Sequence, residues 1–211
     1  MQTVISVVLG STRQGRFGEK PARWIHAQLA ARPHVEARLL DLREFPMPFF
    51  DEPLSPRMPG RPPYENPAVT AWTRAVAESD GFVFIAAEYN HGPTAVLKNA
   101  MDWVYHEWNR KPVAFVGYGT VAGARSIEQL RQIAVELQLA PIQSAVHVPM
   151  ATLMAHFQGG DVEAGLAELQ TAADHMIDDL LWWTRALKNA RHRPATLPEG
   201  DREVTAASVD E

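Results

Sequence analysis

The sequence contains no cysteine. Disulfides, thiolate catalysis and cysteine-ligated metals or clusters are therefore excluded. Eight histidines are present, but none shows a metal-ligand spacing, and His106-Glu107 lacks the second histidine of a zinc-binding HExxH helix. No Ser/His/Asp set can be recognised either. We therefore predict no metal site and no catalytic side chain.

Long hydrophobic runs and an excess of basic residues are also missing. The opening segment lacks a basic region, and its apolar run from Val4 to Leu9 is too short for a signal peptide or a membrane span. We therefore expect a cytoplasmic protein without a membrane anchor. The formal net charge of −5 argues against a surface that binds nucleic acid.

The composition is that of a globular protein. Of its 211 residues, 46% are hydrophobic and 21% are charged, which suits one domain with a sizeable core. We predict that residues 1–189 form this domain. Residues 190–211 lose apolar periodicity, and we predict a disordered C-terminal tail there.

Short apolar runs rich in β-branched residues alternate with helical stretches. Five of these runs predict strands, at 3–9, 35–40, 81–87, 112–118 and 142–148. The first, third and fourth are almost continuously apolar, as buried parallel strands are, whereas 35–40 alternates and suits an edge. The fold class is therefore α/β, a three-layer sandwich around a parallel sheet.

Apolar residues at helical spacing fill the gaps between the strands. They predict helices at 18–31, 67–78, 94–104, 125–138 and about 162–189. Residues 43–67 break the rhythm because they are rich in proline, and we predict a loop there, either ordered or mobile.

A candidate anion site follows the first strand. Residues 10–18 read GSTRQGRFG and lead into a helix, so backbone N–H groups and the helix dipole can face a negative charge. Ser11 and Thr12 add hydroxyl donors, while Arg13 and Arg16 can neutralise a phosphate. Because hydrogen bonds to a charged group contribute about 1.5–3 kcal/mol and a helix terminus about 0.3–1 kcal/mol, the side chains should dominate. An ordinary βα turn is the alternative.

The sequence of this loop indicates which kind of phosphate group it could bind. Gly10 and Gly15 have the spacing of P-loop glycines, but Arg16-Phe17 stands where Lys-Ser/Thr is required. The loop also lacks GxGxxG, the signature for a dinucleotide pyrophosphate. A terminal monophosphate fits better.

Two further loops lie at the same edge of the predicted sheet. In an open α/β sheet, ligands bind beyond the carboxyl ends of the strands, and residues 88–94 follow the third strand. A flat ring could lie against Tyr89 and bond the backbone around it. We place Pro93 in the first turn of the next helix. Thr94 would then lie inside that helix and could not be its N-cap residue. Glycines in the loop 117–126 could allow a ligand to approach the backbone.

The three loops together resemble a known family. GSTRQGRFG, then AEYNHGPTAVLKNAMDWVYHEW, then GYGTVAGARS is similar to the NADPH-dependent FMN reductases, which include quinone and azo reductases. The resemblance covers residues 3–150, and more loosely extends to 189. Its specific part is EYNHG…LKNAxDW. One departure is Ala87, where the family often has proline.

The resemblance implies a flavodoxin-like fold with strand order 2-1-3-4-5, and FMN with NADPH or NADH as electron donor. It implies a homodimer or homotetramer whose helices near Trp103 and Trp108 pack across subunits. It also implies the residues that surround FMN. They are, around the phosphate, Ser11, Thr12, Arg13, Arg16, Phe17 and Gly18, and, around the isoalloxazine, Glu88, Tyr89, Asn90, His91, Gly92, Tyr118 and Gly119.

Two alternatives to a reductase remain open. A flavodoxin-type carrier would bind FMN without turnover, but Trp103, Trp108, Met154 and Phe157 could build an acceptor pocket, which favours an enzyme. A flavin-free α/β binding domain is the other. For an enzyme, a quinone, free flavin, an azo compound, a metal oxyanion or a biosynthetic intermediate would each suit an open flavin face as the small acceptor.

Overall fold

A computed structural model describes residues 2–192 of the chain. Five strands alternate with helices within these residues. The strands are β1 (Thr3–Leu9), β2 (Val35–Asp41), β3 (Gly81–Ala87), β4 (Pro112–Tyr118) and β5 (Ala140–Val148). All five predicted strands are therefore present.

The five strands form one parallel sheet of order β2-β1-β3-β4-β5. Every residue of β3 and of β4 is buried, whereas β2 is half-buried along almost all of its length. Central strands packed on both faces need continuous apolar sequence, and an edge strand does not. The predicted order and the edge position of the second strand are both confirmed.

Seven helices and one short 3-10 helix (His106–Trp108) cover the two faces of the sheet within residues 2–192. The helices are α1 (Glu19–Ala30), α2 (Pro67–Glu78), α3 (Ala95–Asp102), α4 (Ala124–Glu136), α5 (Met150–Gln158), α6 (Val162–Ala167) and α7 (Gln170–His192).

Two helix predictions were wrong. The single helix expected at 162–189 is divided into α6 and α7 at residues 168–169, where the N–H of Leu169 bonds the carbonyl of Leu166 in a tighter turn. The helix α5, which was not predicted, precedes them and ends at Gly159 (φ 72°). Thr94 is the N-cap of α3 after all, since its hydroxyl accepts a 3.2 Å hydrogen bond from the N–H of Leu97. Pro93 therefore precedes the helix, and the hydroxyl of Thr94 is free to cap it.

Each face of the sheet has its own apolar core. On one face α1 and α7 cover Ile5, Val7 and other side chains of the sheet. On the other face α2, α3 and α4 enclose a cluster of aromatic rings. Trp103 and Trp108 belong to this second cluster and are 1% and 0% exposed. The expectation that their side chains line an acceptor pocket was therefore wrong.

The predicted tail at 190–211 falls partly in the described residues. Residues 190–192 form the last turn of α7, so the prediction was wrong there, and the rest of that stretch lies outside the described residues. Within residues 2–192, every helix is too short or too polar to cross a lipid bilayer.

The glycines of the β4–α4 turn are required by the protein's own packing. A Cβ at Gly117 would lie 2.9 Å from the carbonyl oxygen of Ala122, and one at Gly123 would lie 2.5 Å from the backbone nitrogen of Tyr118. Gly123 also has φ of 75°, which side chains disfavour. We expected these glycines to admit a ligand; at 117 and 123 they admit the neighbouring backbone instead.

We predict that Gly123→Ala lowers the free energy of unfolding by about 2–5 kcal/mol, because strain at positive φ adds to a steric clash. Gly159→Ala is the matched control, since Gly159 has φ of 72° and a Cβ added there would have no other atom within 4 Å. It should lose only about 1–2 kcal/mol. Urea denaturation measures both, and equal losses would contradict the role of close packing at Gly123.

Candidate functional site

The loops after β1, β3 and β4 meet at the carboxyl edge of the sheet. The hydroxyl oxygens of Ser11 and Tyr89 lie 3.0 Å apart, which joins the first loop to the second. The N–H of Glu88 donates a 2.9 Å hydrogen bond to the carbonyl of Tyr118, which joins the second to the third. The rings of Phe17 and Tyr118 pack edge to face at 5.1 Å. All three predicted loops therefore surround one crevice.

The β1–α1 loop presents free backbone donors. In the portion of the chain that the structure describes, the N–H groups of Gln14, Gly15, Phe17 and Gly18 donate no hydrogen bond. Gly18 is the N-cap of α1, and no side chain caps this helix. Phe17 and Gly18 are buried, so their N–H groups need a partner. An anion at this helix terminus would satisfy them.

Arg16 differs from the expectation of a free cation. Its side chain is 2% exposed and forms ion pairs with Asp41 at the end of β2 and with Glu19 of α1. It also donates to the carbonyl oxygen of Ser11. The guanidinium therefore holds the loop to the edge strand, and its charge is largely neutralised within the protein.

This pairing perturbs the acidity of Asp41. Burial by itself would raise the pKa of Asp41, but hydrogen bonds from Arg16 and from the N–H of Arg43 outweigh it and hold the pKa below its ordinary value. The carboxylate remains charged at neutral pH, so the pair keeps its full electrostatic attraction.

Arg13 is the exposed arginine of the same loop. Its guanidinium carbon lies 5.8 Å from the centre of the Tyr89 ring, and within residues 2–192 it forms no ion pair. Arg43 supports this part of the loop, because it donates to the carbonyl oxygens of Thr12 (3.2 Å) and Arg13. The exposed side chain of Arg13 is therefore available to a ligand.

The β3–α3 loop begins with a tight turn. The N–H and carbonyl groups of Tyr89 and Gly92 exchange hydrogen bonds of 2.9 and 3.1 Å, while Asn90 and His91 have φ of 49° and 74°. Two positive φ angles at the central residues are typical of a type I′ turn. Such angles are uncommon outside glycine and cluster at functional sites.

Glu88 precedes this turn, and its carboxylate is paired with Arg125 inside the protein. Its side chain is 3% exposed, and it accepts hydrogen bonds from Nε of Arg125 (2.6 Å) and from the N–H of Arg125 (3.1 Å). A Cβ at Gly119 would lie 2.8 Å from Cβ of Glu88. Glu88 and Gly119 therefore shape the crevice through close packing and through the first turn of α4.

Tyr118 forms the floor between the loops. It is 6% exposed, and burial, followed by the nearby Tyr89, raises its pKa above the ordinary value. The phenol is therefore protonated at neutral pH and can act as a donor. A Cβ at Gly18 would lie 2.7 Å from its hydroxyl oxygen, so the small size of Gly18 lets α1 begin against this ring.

Two cavities lie side by side at the crevice, and Tyr89 and Arg13 line both of them. The larger, of about 330 Å³, lies beside the first turn of α3 and the segment 47–49. The smaller, of about 140 Å³, is bounded by residues 13–17, by Tyr118 and Gly119, and by α5. Of the side chains expected in an acceptor pocket, Phe157 is 58% exposed and lines the smaller cavity.

Three residues that contribute to the site were missed from the sequence. Asp41 and Arg43 fix the β1–α1 loop, and Asn99 of α3 lines the larger cavity. The predicted second strand ended at residue 40, one position before Asp41. A carboxylate at the carboxyl end of the strand beside β1 was the available signal.

The fold and the crevice are those of an α/β protein whose strand ends present hydrogen-bond donors suited to an anionic ligand. Comparison with known proteins identifies the family. A family model described as NADPH-dependent FMN reductase matches residues 3–153. This chain belongs to the NADPH-dependent FMN reductase family, whose members use FMN and NAD(P)H in oxidoreduction.

Individual relatives agree with this assignment. An NAD(P)H-dependent FMN reductase of Schizosaccharomyces pombe is 36% identical over 147 residues, which are 69% of this chain and 73% of the relative. A 2-hydroxy-1,4-benzoquinone reductase of Burkholderia sp is 29% identical over 153 residues, 66% of this chain and 74% of the relative. The fold matches FerB, an NAD(P)H:(acceptor) oxidoreductase of Paracoccus denitrificans, with TM-score 0.61, 21% identity and coverage of 84% and 97%.

The residues present fit FMN. The buried N–H groups of Phe17 and Gly18 lack acceptors within residues 2–192, and a phosphate supplies acceptor oxygens. The hydroxyls of Ser11 and Tyr118 and the guanidinium of Arg13 lie at the same crevice. This donor set, without the lysine and magnesium-binding hydroxyl of a P-loop, suits a monophosphate.

We predict that Asp41→Asn lowers the free energy of unfolding by about 1.5–3 kcal/mol at neutral pH, because Arg16 loses a charged hydrogen-bond partner. Folding lowers the pKa of Asp41, so the stabilisation is present above its unfolded pKa, about 3.9. It is lost as the pH falls through the lowered folded value. Urea titrations of both proteins should therefore converge in acid.

Glu19→Gln is the control for this experiment, because Glu19 also pairs with Arg16 but its side chain is 41% exposed. It should cost less than about 1 kcal/mol. A difference between wild type and Asp41→Asn that persists unchanged well below pH 4 would show that the carboxylate charge is not responsible.

Proposed function

We propose that this protein passes reducing equivalents from NAD(P)H through FMN to a quinone. The observation that carries the proposal is the free backbone donors at the start of α1, which lie in the crevice where all three loops meet. The quinone is supported by the relative named 2-hydroxy-1,4-benzoquinone reductase.

The phosphate of FMN is assigned to the β1–α1 loop. The N–H groups of residues 14–18, the hydroxyls of Ser11 and Thr12, and the guanidinium of Arg13 are its donors. Arg16 acts differently, because its ion pairs with Asp41 and Glu19 hold the loop in shape. It contributes by positioning the N–H groups of Phe17 and Gly18, with little charge of its own to offer.

The isoalloxazine is assigned to the turn Tyr89–Gly92 and to the Tyr118-Gly119 corner. Among the residues described, the N–H groups of Asn90 and His91 donate no hydrogen bond, so they are available to the ring. Donors of this kind stabilise negative charge that develops on a bound ring. Glu88 supports the turn from below through its ion pair with Arg125.

FMN held by the β1–α1 loop and the Tyr89–Gly92 turn would supply the hydride chemistry between the nicotinamide and the acceptor. The overall change is NAD(P)H plus a proton plus quinone giving NAD(P)⁺ plus hydroquinone. The protein's own part is binding, orientation and electrostatics. In this reaction no side chain has to donate a proton to carbon or remove one from it.

We propose that the protein works as a homodimer or homotetramer in the cytoplasm, where NAD(P)H is supplied. The side chains of Trp103 and Trp108 are buried within one chain, so they do not themselves form the subunit contact. The exposed aromatic side chains of Trp182 and Trp183 on α7, 60% and 38% exposed, are the better candidates, because large exposed apolar surfaces mark interaction sites.

The reaction is tested by steady-state oxidation of NADPH and NADH by the FMN-loaded protein with 1,4-naphthoquinone. We expect turnover at about 1–10³ s⁻¹, the range of ordinary enzymes. A yellow protein that binds FMN but does not turn over would instead be an electron carrier. A protein that takes up no FMN would contradict both.

We predict that Arg13→Ala raises the Kd for FMN by about 10-fold or more, since one hydrogen bond to a charged group is lost. Arg23→Ala is the matched control, because Arg23 is an exposed arginine of α1 and its loss changes the net charge equally. Titration of FMN into each apoprotein measures the effect. Equal affinities for the two variants would remove Arg13 from the site.

A further inference from the structure

The larger cavity, of about 330 Å³, shares Ser11, Thr12 and Arg13 with the phosphate loop but is not lined by residues 14–18. Residues 14–18 line the smaller cavity or lie beside it, whereas the larger one is bounded by α3, by residues 11–13 and by Met47 and Phe49. Tyr89 and Arg13 are common to both cavities, so a molecule in the larger one would lie next to the flavin crevice.

The wall formed by Met47 and Phe49 belongs to the proline-rich segment. This segment has no regular secondary structure, yet it is fixed to α3 by Asn99. Nδ2 of Asn99 donates a 2.7 Å hydrogen bond to the carbonyl of Pro48, and its Oδ1 accepts a 2.9 Å bond from the N–H of Phe50. The side-chain amide thus pairs with the backbone on both sides of Phe49, as a neighbouring strand would.

Trp103 reinforces the same anchor. Its indole N–H donates a 2.8 Å hydrogen bond to the carbonyl of Pro48, and the ring of Phe50 packs against it at 5.0 Å. At the other end of the segment, the hydroxyl of Tyr64 donates a 2.7 Å bond to the carbonyl of Trp103. The segment is therefore fixed at both ends, to α3 near Phe49 and to Trp103 at Tyr64.

Phe49 is the residue that this anchor leaves free. It is 75% exposed, the most exposed of the large hydrophobic side chains within residues 2–192. Its two neighbours are both bonded to one buried amide, and Asn99 is 8% exposed. A rigidly held backbone that presents an aromatic ring to a cavity is a binding device, because fixing the ring in advance reduces the entropy lost on binding.

We infer that Phe49 is a specificity-determining contact for a planar aromatic acceptor in this cavity, and that Asn99 is the positioning residue that holds Phe49 in place. Phe49, Met47 and Tyr89 line this cavity and offer apolar faces to a flat ring. The volume lies at the lower end of small-molecule sites, about 300–1,000 Å³. It suits a bicyclic quinone and is too small for a nicotinamide dinucleotide.

This inference rests on the proposed function, and its test separates the two. The FMN-loaded wild type and its variants are assayed with NADPH and either 1,4-naphthoquinone or ferricyanide, an inorganic oxidant with no ring to stack. For Phe49→Ala we expect the ratio of the naphthoquinone KM to the ferricyanide KM to rise about 10-fold. Phe49→Tyr, which keeps the ring, should restore the ratio.

Leu54→Ala is the control within the same segment, since Leu54 is also exposed (40%) but lines a different cavity. It should leave the ratio unchanged. Asn99→Leu should raise the ratio as Phe49→Ala does, because leucine has a similar size but cannot make the two hydrogen bonds that fix the backbone on either side of Phe49. Melting temperature and FMN affinity are measured in parallel, so that a change in folding is not mistaken for a change in specificity.

An unchanged KM ratio for Phe49→Ala overturns the inference. If the sedimentation mass of that variant changes as well, Phe49 belongs to a subunit contact instead. If Asn99→Leu lowers only the melting temperature, Asn99 is not a positioning residue. A wild type that reduces neither acceptor contradicts the proposed function itself. A wild type active with ferricyanide but not with naphthoquinone contradicts the proposed quinone acceptor and this inference, but not FMN-dependent NADPH oxidation.

Discussion

The buried ion pair between Arg16 and Asp41 determines the shape of the crevice. Arg16 comes from the loop after β1 and Asp41 from the end of β2, so the pair joins the phosphate loop to the edge of the sheet. A buried guanidinium without a carboxylate would be costly. The loop is thereby held in one conformation, and its N–H groups face the crevice before a ligand arrives.

The same constraint explains why sequence reasoning treated the two arginines of the loop alike, although Arg16 is ion-paired and Arg13 is exposed. Strand, glycines, hydroxyls and helix were all visible as a pattern, and the structure brings them together. Which arginine remains free depends on Asp41, 25 residues away from Arg16. Nothing local distinguishes Arg13 from Arg16, because the difference arises only when β1 and β2 become neighbours.

The fold was predictable to a greater extent than the details of the site. The central positions of β1, β3 and β4 followed from their continuous apolar sequence and the edge position of β2 from its alternating pattern, because a strand buried on both faces needs apolar residues throughout. The full strand order came from the family resemblance. The division between α6 and α7 and the anchoring of the proline-rich segment left no such record. Asn99 looked like one more polar residue of a helix, and its bonds to Pro48 and Phe50 depend on tertiary packing.

The segment between the anchors at Phe50 and Tyr64 has a consequence for how such a protein could diversify. Both ends are held by α3 and the residue that follows it, so the chain between them contributes little to the core. Lengthening a loop whose ends are already fixed costs little free energy, about 0.6 kcal/mol for each doubling. Insertions here could reshape the entrance above the crevice while the sheet, the ion pair and the phosphate loop remained as they are.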